Sequence, residues 1–450
     1  MTQKTKVKLE DHPTVRAVRD RERTASPKIL EHDDLRDLCL EAGADDVGFV
    51  SIDRPELDDQ RDKILANFPY AKSLIALVFR MNRDNVRTPA RSVSNLEFHH
   101  SGDHVNDTCR AIVTALQDKG VRAANPSMGF PMEMDAWPGD IWVLSHKPVA
   151  EAAGLGRMGI HRNVIHPKFG NFILLGTVIV GAPIDHESQP VDYNPCFECK
   201  LCVAACPVGA IGSDGSFNFS SCLTHNYREF LGGFNDWVDT VVESGNARDY
   251  RAEVRDSETT SVWQSLSFGP NYKAAYCMAV CPAGEDVIAP FLDDRRGFLK
   301  DVVEPLQKKE EPIYVIPKSD ADYFVRKRYP HKEPRPVGNG VRSKSIANLL
   351  RDMPHMFQSG RAKALGIDAV YHFEFTGDES ARATITIRAG KIEVAEGFVG
   401  NASLTMRADA QYWLGFLAGE RFLPWGLITR RIRLKGNPRY LLLFGKCFPR

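Results

Sequence analysis

Seven of the ten cysteines in this 450-residue sequence fall between Cys196 and Cys281, and their spacing is that of an iron–sulfur site. The run Cys196-x2-Cys199-x2-Cys202-x3-Cys206-Pro207 has the bacterial ferredoxin pattern. One tight loop can aim three thiolates at three irons of a cubane, while the fourth, after a longer gap and before a proline, is carried to a neighbouring cluster. Cys277-x3-Cys281-Pro282 is the partner motif. By the same exchange Cys281 completes the set of Cys196, Cys199 and Cys202, which leaves Cys206, Cys222 and Cys277 for a second cluster. Ala274 stands three positions before Cys277, where a ferredoxin motif has another cysteine. The second cluster therefore has a non-cysteine ligand, a 3Fe–4S form or an open iron, with His225 a candidate ligand. A zinc site normally needs four ligands in two pairs. Cys39, Cys109 and Cys447 stand alone and read as small buried hydrophobes.

A glycine-rich loop precedes the cysteines. Gly154, Gly156 and Gly159 spell G-x-G-x-x-G, a weak signal here, because no strand ends just before it and no acidic residue follows at the right distance. Glycines let a backbone approach a large cofactor closely, and spacing alone does not name that cofactor. His99 and His100, adjacent on a helix, point about 100° apart, so they read as helix-surface or cavity-lining residues.

The elements that must hold these residues follow from pattern. A polar lead-in covers residues 1–32. Strands are expected at Asp46 to Ser51, Ser73 to Phe79, Ile141 to Leu144 and Ile173 to Val180, and a long helix over Ser94 to Gly120. Alternating helices and apolar strands predict an α/β domain over 33–189. A loop-rich, ferredoxin-like two-cluster insert follows over 190–290, and a charged, Pro/Gly-rich linker over 291–342. A small α+β domain closes the chain over 343–450. It opens with a helix ended by Pro354, and Arg388-Ala389-Gly390-Lys391 forms a hairpin turn. Lys+Arg and Asp+Glu balance at 58 each, which argues against a nucleic-acid partner, whose footprint is basic. The polar N-terminal residues carry no apolar signal region, and no apolar run approaches a membrane span. A cytoplasmic protein without membrane contact is expected.

The order of Pro148-Val149-Ala150-Glu151, AGLGRMGIHRN, FGNFILLGTVIV, CxxCxxCxxxCP, Cys222 and CxxxCP resembles the epoxyqueuosine reductases and corrinoid-dependent reductive dehalogenases, over roughly residues 33 to 290. The resemblance implies base-off cobalamin in the α/β domain and two 4Fe–4S clusters that reduce its cobalt. It places Gly154, Leu155, Gly156, Met158, Gly159, Phe169 and Gly170 near the corrin. Asp140 falls where epoxyqueuosine reductases carry a proton-donating aspartate, although Trp137, Pro138 and Ile141 depart from that pattern. A reductase of this kind must supply a proton, and Asp140, Lys147, His161 and Arg162 are the candidate catalytic residues, with His166 nearby. Each has a plainer reading as a turn, a satisfied histidine or an ion-pair partner. Residues 343–450 resemble a sterol carrier protein 2-like domain, carried by YHFEFTG, ATITIRAGKIEVAEG, SLTMRADAQYWLGFLAGE and RIRLKG. Such a domain cups apolar ligands, with Trp413, Phe416, Leu417, Phe422, Trp425 and Leu427 as tunnel candidates, or serves for docking or homodimerisation. The leading expectation is reductive dehalogenation of an apolar or aromatic organohalide, fed by an external ferredoxin or flavodoxin. Epoxyqueuosine reductase-like tRNA modification, another corrinoid-dependent cleavage and non-enzymatic electron transfer are the alternatives.

Overall fold

The structure, a computed structural model, describes residues 8–19 and 26–449. The lead-in expected over 1–32 lies partly outside these; within them, Leu9–Asp11 and Pro13–Arg19 are short exposed helices. Asp46–Ser51 (β1), Ser73–Arg80 (β2) and Ala123–Ala124 (β3) come next, then the two-residue strands Arg157–Met158 (β4) and Val164–Ile165 (β5), and then Ile173–Val180 (β6). The first sheet has the order β1-β2-β6-β3, and β4 and β5 pair as a separate hairpin. β2 is buried at every position but its last, because helices cover both faces; a continuous apolar run suits such a strand better than alternation. Val105, Cys109, Ile112 and Leu116 of helix Arg91–Asp118 cover one face. Ile64, Val149 and Ala152, from helices Asp58–Asn67 and His146–Ala152, cover the other.

The expected layering of helices on a sheet is present, but every pairing in the sheet is antiparallel, so the alternation of elements does not encode parallel crossovers. Ile141 to Leu144 is irregular, not a strand: its two apolar ends are buried while Trp142 turns outwards.

The cysteine segment is built of short helices, including Leu201–Ala205, Phe219–Asn226 and Tyr276–Ala279. Its core does not stop at residue 290. Phe298, Val303, Leu306, Ile313, Val315 and Val325 belong to the same apolar cluster as Cys202, Cys206 and Ala274. Residues 291–342 are therefore a packed part of this unit and not the linker that composition suggested. Pro312–Val315 (β7) and Glu333–Pro336 (β8) pair in parallel there.

Ala369–Thr376 (β9), Ala381–Arg388 (β10), Lys391–Glu396 (β11), Leu404–Asp409 (β12) and Ile432–Gly436 (β13) form the last sheet, ordered β11-β10-β9-β12-β13. Tyr371, Phe373 and Phe375 alternate onto one face and pack with Trp413 and Phe444. The hairpin at Arg388–Lys391 turns through Ala389 and Gly390, both at positive φ, as a tight two-residue loop requires. Pro354 lies inside helix Ile346–Met356 and does not end it. A proline this close to a C-terminus removes a single backbone bond, and the last turn persists.

Candidate iron–sulfur site

The CxxCxxC loop is wound by left-handed residues. Glu198 and Lys200 have φ of 51° and 64°, a conformation that non-glycine residues rarely adopt. Lys200 caps helix Leu201–Ala205. The second motif uses the same device: Ala275, φ 57°, caps helix Tyr276–Ala279. In each case the left-handed residue stands two before a cysteine of a Cys-x3-Cys-Pro run (Cys202 and Cys277).

This winding brings the thiols together in two sets. Cys196, Cys199, Cys202 and Cys281 line one pocket of about 290 Å³, walled also by Ile160, His161, Phe197 and Pro282. Cys222 lies within electrostatic reach of Cys206 and Cys277, and Cys202 is within reach of Cys277, so the two sets adjoin. Burial and neighbouring thiols push Cys277 and Cys281 up to about 12. Crowded, buried thiolates need a cation among them, which an iron–sulfur core supplies. Among the described residues no group of three or more His, Cys, Asp or Glu converges on a single ion. Four sulfurs around one pocket match the four cysteine ligands that a cubane takes. Backbone N–H groups point at the sulfurs: Ala210 N donates to Cys206 Sγ at 3.2 Å.

The seven cysteines expected as ligands are thus gathered four and three. The lone thiols are core residues: Cys39 and Cys109, buried side by side, are each raised to about 12 by burial. His225 is held at one ring nitrogen, and its buried Nε2 has no hydrogen-bond partner. Its Nδ1 accepts from Tyr314 N at 3.2 Å, and the charges that act on it are those of Glu311 and three lysines. Tyr227, two residues on, is the one beside Cys222 and Cys277.

Of the four candidate catalytic residues, three are neighbours. Lys147 Nζ donates to Arg162 O at 2.6 Å and Asn163 Oδ1 at 3.3 Å, within electrostatic reach of Cys277 and Cys222. His161 Nδ1 accepts from Asn163 N at 3.2 Å. Burial, and then Lys147, push His161 down to about 4, so its ring is neutral at neutral pH. Arg162 contributes its carbonyl, while its side chain is exposed. Asp140 is separate: its carboxyl is 60% exposed and pairs with Lys63 at 2.6 Å. His166 is structural. It holds Asp46 at 3.0 Å and accepts from Lys168 N and Phe169 N at 3.1 and 3.2 Å.

The glycine loop differs from expectation. A Cβ on Gly154 would lie 2.3 Å from Gln189 O, on Gly156 2.2 Å from Ile165 O, and on Gly170 1.9 Å from Ala283 O. On Gly159 it would meet Ile165 and His161 side chains. Leu155 and Phe169 are buried in the core beneath the sheet and Met158 is half-buried. Gly154, Gly156 and Gly170 admit the chain's own backbone and Gly159 packs on side chains, so the Cβ side of these glycines is filled by the protein itself. Its use is mechanical: Gly170 lets the α/β part dock on the Ala283–Gly284 turn just after Cys281.

No motif marks Arg87, yet the fold seats it at the first thiol set. Its guanidinium lies 5.1 Å from the Phe172 ring and 5.2 Å from that of Phe298, and Nε donates to Ala279 O at 3.3 Å. Burial lowers it to about 10, and a Cys281 thiolate acts in the opposite direction. Only the tertiary fold brings this helix to the cysteine loop.

Comparison with known proteins adds a local likeness. A stretch of 85 residues is 38% identical to the epoxyqueuosine reductase of Staphylococcus aureus, covering 19% of this chain and 22% of the relative. A stretch of 99 residues is 31% identical to that of Escherichia coli K12, covering 22% of this chain and 24% of the relative. Over this stretch the chain resembles epoxyqueuosine reductases. It spans about a quarter or less of their length. No family model matches the chain. Among solved structures, an epoxyqueuosine reductase with a modified tRNA-Tyr stem loop is 20% identical at a TM-score of 0.33, over 43% of this chain and 56% of that one. A reductive dehalogenase is 14% identical at 0.35, over 60% and 34%. Those structural scores are too low to carry argument. The sequence relatives thus favour the epoxyqueuosine reductase alternative over dehalogenation. Among the described residues no helix is long and apolar enough to cross a membrane.

Proposed function

We propose that this chain is an iron–sulfur oxidoreductase of the epoxyqueuosine reductase type, carrying electrons from an external ferredoxin or flavodoxin through two clusters to a bound substrate. The observation that carries this reading is the gathering of seven thiols into two adjoining sets. Cys196, Cys199, Cys202 and Cys281 would hold one cluster, and Cys206, Cys222 and Cys277 the other. The clusters supply one-electron steps. Two of them side by side can hold the pair of electrons that reduction of an epoxide consumes, together with two protons. The half-exposed first set, with Phe197 at its rim, is the entry side for electrons. The second set, flanked by Lys147 and Tyr227, would face the substrate. All ten cysteines are free, as a reducing cytoplasm would keep them. A base-off cobalamin, which the resemblance implies, would accept electrons from the clusters and supply the reducing centre that meets the substrate.

The relatives' name points to a modified tRNA nucleoside as substrate. A small aromatic or halogenated substrate is the second reading. It is favoured by the ring group beside the second set, where Tyr227, Phe230 and Tyr272 pack with centroids 4.8 to 5.7 Å apart and reach partly exposed Phe130. The domain at 343–450 is proposed as sterol carrier protein 2-like, an apolar binding or docking module.

The test is anaerobic reconstitution with iron and sulfide, then turnover with a chemical reductant. Iron near seven or eight per chain, with loss of the epoxide from epoxyqueuosine-containing tRNA, supports the leading reading. Halide release from an aryl halide without tRNA turnover selects the second. Absence of cluster absorbance in the folded chain would sink both. A parallel titration with hydroxocobalamin checks the corrin: stoichiometric binding with a base-off spectrum supports it, and no binding removes it from the reading.

A further inference from the structure

The two cysteine motifs are structural repeats, and the repeat exposes a missing corner. Lys200 and Ala275 are the equivalent left-handed caps. Two residues after each comes Cys202 or Cys277, and four residues further Cys206-Pro207 or Cys281-Pro282. Matching backbone bonds close the first turns, from Ala204 N to Lys200 O at 3.0 Å and from Ala279 N to Ala275 O at 3.4 Å. The residue just before the cap is Cys199 in the first motif, and its thiol lines the first pocket. In the second motif that residue is Ala274. Ala274 is buried and belongs to the apolar cluster that packs on Cys222 and Cys277, so a methyl group stands where the repeat calls for a sulfur.

Nearby polar groups are partly engaged. Asn226 Oδ1 accepts from Ala274 N at 3.0 Å. Lys147 donates to Arg162 O and Asn163 Oδ1. His225 Nδ1 accepts from Tyr314 N, while its Nε2 is buried without a hydrogen-bond partner.

We infer that the second cluster is held by Cys206, Cys222 and Cys277 alone, and that its fourth iron, at the Ala274 corner, is exchangeable and carries a small oxygen-donor ligand in place of a side chain. The inference rests on the iron–sulfur reading above and goes beyond it. One-electron oxidation of the four-iron dication expels ferrous iron and leaves the three-iron monocation. One-electron reduction of the three-iron form, followed by uptake of ferrous iron, restores it. Charge and iron balance in both directions. In the four-iron state the open corner is a Lewis-acidic site for water, hydroxide or a substrate oxygen, on the side that Tyr227 and Lys147 flank.

The experiment uses the full chain, reconstituted anaerobically, oxidised by ferricyanide and read by electron paramagnetic resonance and iron analysis. The expected result is the spin signal of an oxidised three-iron cluster at about one spin per chain, with about seven irons retained. Dithionite and ferrous iron-57 then abolish the signal and load one labelled iron per chain, read by Mössbauer spectroscopy. In Ala274→Cys the signal disappears and about eight irons are retained. Should that variant fail to fold, Cys199→Ala makes the mirror change in the first motif and is expected to double the spin count. A wild-type chain that keeps about eight irons without a three-iron signal overturns the inference and leaves the reductase reading standing. So does a wild type whose signal appears only after Tyr227→Phe or His225→Ala, since that side chain would then be the fourth ligand. A folded chain that binds no iron–sulfur cluster overturns the reductase reading itself.

Discussion

A single guanidinium and a single Cα set much of the behaviour of the first thiol set. Arg87 is half-buried between the Phe172 and Phe298 rings, its buried Nη2 unpartnered, and a cation beside Cys281 favours the more negative, reduced cluster. Arg87→Met keeps the packing and removes the charge. The first cluster's midpoint is expected to fall by on the order of tens of millivolts, checked by a potentiometric titration in which the second cluster serves as internal reference. Gly170 combines φ +65° with a carbonyl 1.9 Å from where a Cβ would sit. Gly170→Ala should destabilise the chain by about 2–3 kcal/mol, seen as a lower urea midpoint, and loosen iron held through Cys281. Unchanged stability would show that the Ala283 turn can yield.

Helix Tyr276–Ala279, which carries Cys277, is held from behind by the segment 291–342. Tyr276 Oη donates to Glu311 at 2.7 Å, and Lys332 Nζ, buried, donates to Glu311 Oε1 at 2.7 Å. Lys309 completes the group at 3.2 Å. Removing one partner of a buried pair leaves an uncompensated charge. Lys332→Met is therefore expected to cost about 3 kcal/mol, the lower end for such a pair because Lys309 remains, with Glu311→Gln in the same background recovering part of the loss. Burial acts to raise the Glu311 carboxyl, but Lys332 and Lys309 outweigh it and hold it below the ordinary range. Buried Glu229 is lowered in the same way by Lys273. A carboxyl depressed in the folded state contributes stability that is complete above its unfolded value, about pH 4.3, and is lost as pH falls through the folded value. Urea midpoints should begin to fall near pH 6.5, where the unfolded chain protonates histidines that the fold holds neutral, His161 and His225, and fall more steeply below about pH 4.3. Glu311→Gln should flatten part of the drop.

Across the molecule, the elements legible in sequence are those whose pattern is local. The continuous apolar runs of β2 and β6 and the tight turn at Ala389-Gly390 come from short-range rules, and the cysteine spacing fixes the four-plus-three grouping of thiols. Features that depend on distant partners were not legible. Residues 291–342 looked like a linker because charge and proline dominate, but the charges of Glu311, Lys332, Arg335 and Glu258 are paired within the fold. The prolines of β8, Pro334 and Pro336, sit on a two-stranded edge where a missing N–H is tolerated. The glycine loop looked like a cofactor cradle because sequence shows that a backbone must be approached, not by what. Asp140 was chosen by its position in a resemblance, and nothing in the sequence tells that Lys63 neutralises it at the surface.

Cys196 and Cys281 stand at opposite ends of the loop-rich segment yet share one pocket. A cluster bonded to both is a covalent clasp, and the chain between them, with its three longer helices Gly232–Glu243, Ala247–Glu253 and Asp256–Phe268, becomes a closed ring. Closing so long a ring removes conformational freedom from the unfolded chain. The clasp cannot fasten until the polypeptide has been made through Pro282, so metal loading must follow synthesis of the whole ring.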